Sequence, residues 1–214
     1  MLFAAIAFFL LPGLLYVDID YPFWQWAWGM GAPTTLLIAF EAIVFYFAGH
    51  RRGRLKAKLA LRPLKKHDLC IGLTGIFCAL FLVPVVNLGW GKIISLLGIE
   101  CAEKQQLMDL AQTLPLGRFI FFVAVLAVAV PIAEEIVFRR SLYALWLKIN
   151  PETAFFGTAA LFSVVHFFIN GLAGLFLLGI IFQAAFLKSR NLAVPILIHS
   201  VFNATSLVLT YCFE

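Results

Sequence analysis

Long apolar runs, broken by short polar bridges, organise the chain. The runs fall at about 2–17, 26–48, 69–88, 118–138, 153–169, 171–187 and 193–211. Crossing a bilayer core takes ~20 mostly apolar residues in helical form. The pattern therefore predicts about seven membrane helices, with six or eight also compatible. The run at 153–169 is parted from the next only around Asn170 and Gly171. That pair reads as a tight hairpin, or as two segments of which one does not cross fully.

The polar bridges assign sides. Arg51, Arg52, Arg54, Lys56, Lys58, Arg62, Lys65 and Lys66 follow one another with no acid among them. The positive-inside rule places loop 49–68 in the cytoplasm. Residues 18–25 mix acids and aromatics, as expected at a membrane interface. Residues 99–117 are polar and mildly acidic, as expected on the opposite side. Basic residues return after the fourth run (Arg139, Arg140, Lys148) and the sixth (Lys188, Arg190). Seven alternating spans satisfy this with the N-terminus inside and the C-terminus outside. The opening stretch MLFAAIAFFLLPGLL has no basic n-region and reads as a retained helix rather than a cleaved signal.

Composition sharpens the class. Of 214 residues, 63% are hydrophobic and 13% charged, against about 25% charged in a soluble domain. A soluble globular domain, a disordered chain and a nucleic-acid binder are excluded. Half of the 16 basic residues behind the net charge of +5 lie in one loop, so the charge reads as membrane orientation. The expectation is an all-α polytopic bundle, one membrane domain over 1–214 with its motif-bearing core at about 118–211. Cys70, Cys78, Cys101 and Cys212 show no metal-type pairing. The 23 phenylalanines read as lipid-facing bulk.

Ionisable side chains inside a bilayer are costly and are functional candidates by default. Glu134 and Glu135 sit side by side in VPIAEEIVFRRSLYALW. Arg139 lies four residues after Glu135, the spacing of a helical ion pair. Glu134, about 100° around the helix, then faces the interior as a candidate general base. The two acids could equally sit at a helix end among cytoplasmic charges. Pro131 frees a backbone carbonyl one turn earlier. His166 lies in AALFSVVHFFING with Phe162 one turn before it, and alone could be a packing residue. His199 and Asn203 share a helix face in VPILIHSVFNATS, where an interhelical hydrogen bond is the alternative. Gln183 and Ser163 read as interhelical glue. His50 and His67 border the basic loop and face solvent. Glu41, alone in mid-span, could be packed or could line a cavity.

In order, the three groups are E-E-x-x-x-R, F-x-x-x-H and H-x-x-x-N. This pattern resembles the CAAX-protease and bacteriocin-processing (ABI) family of intramembrane proteases, which includes the type II prenyl endopeptidases. The likeness covers residues 134–203 and rests on Glu134, Glu135, Arg139, Phe162, His166, His199 and Asn203. Arg140 departs from it, since many members carry a small residue there. The resemblance implies an intramembrane endopeptidase acting on a prenylated CAAX-type protein, a bacteriocin precursor or a C-terminally tagged protein. Glu134 with His166 would activate water, and His199 with Asn203 would stabilise the oxyanion. Glu135, Arg139 and Phe162 would support them. The cofactor stays open between none and a zinc ion held by Glu134, His166 and His199, with the asparagine favouring the metal-free form. Expected partners are the bilayer and a membrane-presented peptide, with no nucleic acid. The expected location is the cell membrane. The rival reading is a silent peptide-binding, immunity or transport protein using the same polar cavity.

Geometry strains the simple topology. His166 falls about 13 residues into its run, or ~20 Å along a helix, while Glu134 and His199 lie near the cytoplasmic side. For all three to meet in a water-accessible cavity, the helix of His166 must start below the membrane plane, or the 153–187 hairpin must tilt or re-enter.

Overall fold

A computed structural model of the protein describes residues 60–99 and 106–213. The runs at 2–17 and 26–48, Glu41, His50, Cys101 and most of the basic cluster lie outside them. The described residues are helical, with no strand among them. The helices are α1 (Lys66–Leu96), α2 (Gln106–Thr113), α3 (Leu116–Trp146), α4 (Pro151–Val164), α5 (Leu172–Ser189) and α6 (Ala193–Phe213). Four of these, α1, α3, α5 and α6, are long and apolar enough to cross a membrane. The chain is a polytopic integral membrane protein. Its exposed apolar side chains, such as Leu73, Phe77, Phe81 and Ile120, suit contact with lipid.

The segment expected as a span at 153–169 is shorter than expected. Asn150 caps α4 by accepting from the Thr153 amide at 2.6 Å, with Pro151 in the first turn. The helix ends at Val164 after 14 residues, or ~21 Å at 1.5 Å per residue. His166 itself explains the stop. Its Nδ1 bonds the Phe162 carbonyl at 2.6 Å, the acceptor that the amide of residue 166 would use in a continuing helix. That amide turns instead to Ser163 O at 3.4 Å. Phe167 follows with φ of 50°, a left-handed conformation that few large residues adopt. His166 thus lies in a turn between α4 and α5, not inside a spanning helix.

That turn is braced from two sides. Ser163 Oγ donates to Leu172 O at 2.6 Å, fulfilling its expected interhelical role. From α1, Trp90 Nε1 donates to Ile169 O at 2.8 Å, and Asn87 Oδ1 accepts from the Gly174 amide at 3.0 Å. Helices α4 and α5 meet where Gly179 faces the Ala159 backbone. A Cβ on Gly179 would sit 2.8 Å from Ala159 Cα and 3.1 Å from its carbonyl oxygen. Gly179→Ala is expected to cost about 1–3 kcal/mol through overpacking. Thermal unfolding in detergent measures this, and an unchanged midpoint would show that the crossing yields freely.

A polar clasp joins the residues before α1 to the α5–α6 connection. The Arg62 guanidinium forks onto buried Asp68 at 2.7 and 2.9 Å and also reaches Ser189 O at 2.7 Å. Buried Asn191 donates to Arg62 O at 3.1 Å and accepts from the Ala193 amide at 3.2 Å. Arg62 therefore serves as a structural tie. His67 is exposed, as expected, and Cys70, Cys78 and Cys212 are free thiols.

Candidate functional site

The site gathers on α3, the α4–α5 turn, α5 and α6. Glu134 and Glu135 are 4% and 0% exposed, so they are core groups and not acids at a frayed helix end. Arg139, 1% exposed, sets Nε 3.0 Å from Glu135 Oε2 across the expected i,i+4 spacing. The two atoms touch as opposite charges without hydrogen-bond alignment. One guanidinium nitrogen, Nη2, reaches Gly179 O at 3.4 Å. The guanidinium carbon stands 5.1, 5.3 and 5.7 Å from the ring centres of Phe162, Phe182 and Phe138. Three aromatic faces thus stabilise a cation that water cannot reach.

Glu135 uses its other oxygen on His199, with Oε1 3.1 Å from Nδ1. A carboxylate only accepts, so Nδ1 carries the proton and Nε2 is the working nitrogen. Nε2 lies 3.7 Å from Glu134 Oε2, and that oxygen has no hydrogen-bond partner. A water seated off the Nε2–Oε2 axis can donate to both.

The same logic governs His166. Its Nδ1 must donate to the Phe162 carbonyl, which again leaves Nε2 free in the neutral ring. Phe162 links the two histidines, with its ring centre 4.7 Å from that of His166 and 5.8 Å from that of His199. Phe182 stacks on His199 at 4.7 Å and 23°. Asn203 donates through Nδ2 to Leu126 O at 2.9 Å.

Glu134, Glu135, Arg139, Phe162 and His199 form one chain of contacts, His166 joins it through the Phe162 ring, and Asn203 makes the interhelical hydrogen bond that was its alternative reading. The imidazole against Glu134 is His199, where His166 was expected. Glu135 holds His199 as well as Arg139. Phe138, Phe162 and Phe182 are buried at 0–1% exposure, so these three are cage walls and not lipid-facing bulk. The roles of Phe138 and Phe182 were missed. A faint signal exists for Phe182, which shares a helix face with Gly179, three residues earlier. Gln183 is buried with neither Nε2 nor Oε1 partnered, so it is not the expected interhelical bond. Arg140, half-buried on the turn beside Arg139, also keeps a buried Nε without a partner.

Among the described residues no three His, Cys, Asp or Glu side chains gather as a metal cluster. Glu134, His166 and His199 are thus not drawn around one point as a shared zinc ion would require.

Residues 116–205, which hold the whole site, match the family described as type II CAAX prenyl endopeptidase Rce1-like. The chain is 28% identical over 156 residues to the membrane-embedded CAAX protease MroQ of Staphylococcus aureus (strain USA300). That alignment covers 69% of this chain and 60% of the relative. It is 29% identical over 108 residues to the putative membrane peptidase YdiL of Bacillus subtilis (strain 168), covering 50% of this chain and 42% of the relative. The chain thus spans between two fifths and three fifths of the curated relatives it matches. No solved structure matches it.

Proposed function

We propose, on the premise that residues 116–205 are Rce1-like, that the protein is an intramembrane endopeptidase of that family. It hydrolyses a peptide bond in a membrane-presented substrate, of prenylated CAAX type, a bacteriocin precursor or a C-terminally tagged protein. One observation carries the reading: buried Glu134 turns Oε2, which has no hydrogen bond, towards an imidazole nitrogen whose opposite nitrogen is already fixed. Glu134 takes a proton from water held between Oε2 and His199 Nε2. The hydroxide attacks the scissile carbonyl, and the second amide hydrogen of Asn203 stabilises the oxyanion. The proton taken by Glu134 passes to the leaving amine as the C–N bond breaks, and His166, with Nε2 free, is suited to accepting a hydrogen bond from that amine or from the water. Arg139 and Glu135 act through His199 and do not touch the reacting atoms. The protein would lie in the cell membrane with loop 49–68 in the cytoplasm.

The test is cleavage of a quenched farnesyl-cysteine CAAX peptide, a bacteriocin precursor and a tagged membrane protein in proteoliposomes. His166→Ala and His199→Ala are each expected to lower cleavage about 100-fold or more. Wild-type rates in both would overturn the site. A tight zinc chelator is expected to leave cleavage intact. Loss on chelation and recovery with zinc would replace the metal-free mechanism and keep the endopeptidase. Peptide binding without cleavage of any of the three would instead favour the silent peptide-binding reading.

A further inference from the structure

Helix α3 changes hydrogen-bond register twice, at Val125–Ala129 and Ile136–Leu142, where it is π-helical. In the first stretch amides reach carbonyls five residues back, and the Val130 amide bonds Val125 O. Carried one residue further, the pattern needs an amide at residue 131 for Leu126 O. Residue 131 is a proline and has no N–H. The π register stops there, and Leu126 O loses its backbone donor. In an apolar surrounding such a carbonyl must find another. It finds Asn203 Nδ2, at 2.9 Å, from α6.

From this we infer that Pro131 is a positioning residue for Asn203, and this rests on the reading of Asn203 as oxyanion donor. Leu126 O can only accept, so it selects the NH2 end of the carboxamide and turns Oδ1 away. With one amide hydrogen held, the planar group has a fixed direction for the second. Pro131 stands one turn before Glu134 on the same helix. The lock on the oxyanion donor and the general base are therefore set by one short stretch of α3. The proline acts by what it withholds, leaving Leu126 O to a donor from another helix.

Pro131→Ala supplies an amide that competes for Leu126 O. With the quenched farnesyl-cysteine peptide in proteoliposomes, kcat is expected to fall about tenfold with KM within about twofold. Asn203→Ala should cost about 100-fold, and Pro131→Ala added to it should cost nothing more. A purely structural proline would lower both backgrounds by the same factor, and that result overturns the inference, as does wild-type kcat in Pro131→Ala alone. Solid-state NMR of the Leu126 carbonyl carbon reads the lock without any turnover or any proline variant. Its resonance should move in Asn203→Ala, and an unmoved resonance sinks the lock. Wild-type kcat in Asn203→Ala with a moved resonance would remove the oxyanion role while the lock stands, so the two failures are told apart.

Discussion

Glu134→Gln is expected to lower kcat by about 1,000-fold while KM and stability hold. The amide keeps the shape of the carboxyl group and removes its ability to take a proton, and general-base catalysis contributes about 100- to 10,000-fold. Stability should hold because Oε2 has no hydrogen-bond donor to lose. Burial of an amide is also easier than burial of a charge. Kinetics of the reconstituted variant, with its melting temperature in detergent, check both halves. Cleavage within tenfold of wild type would mean that Glu134 is not the base. A collapse in melting temperature would mean that the carboxylate is a structural member of the ion network.

Arg139→Leu should be severe for the fold as well as for catalysis. It removes the partner of a fully buried Glu135 and leaves an uncompensated charge in the core, which typically costs 3–5 kcal/mol. For a chain of this size that is a fall in melting temperature on the order of 10 °C. The informative companion is Glu135→Leu with Arg139→Leu. Replacing a whole buried pair by apolar side chains is often close to neutral, so the double variant should regain much of the lost stability. It should not regain activity, because Glu135 Oε1 is what sets the proton on His199 Nδ1. Recovery of cleavage in the double variant would show that His199 needs no such partner.

How much of this was legible from the residues follows from the range of each interaction. The Glu135–Arg139 pair and the shared face of His199 and Asn203 obey helical periodicity, so four-residue spacing was enough to place them. The helix of His166 could not be bounded that way. Its end depends on the imidazole taking the Phe162 carbonyl, and no periodicity reports such a competition. The same holds for Phe138 and Phe182. One phenylalanine among 23 in an apolar chain looks like any other until Arg139 is seen between the rings. The pairing of Glu134 with His199 crosses from α3 to α6 and was only inferable as convergence. The tie between Arg62, Asp68 and Asn191 bridges more than a hundred residues, and the basic run around Arg62 obscured it behind a topology signal.

The ion pair within α3 also bears on the order in which the chain is made. Glu135 and His199 are separated by 64 residues, which at 5–20 residues per second is about 3–13 s of synthesis. During that interval α3 would carry its polar groups without α6. Because Arg139 is on the same helix, Glu135 brings its counter-charge along. Only Glu134 then waits for a partner from a later helix. The spacing that orients the finished site thus also eases the admission of α3 to the bilayer, before His199 is in place.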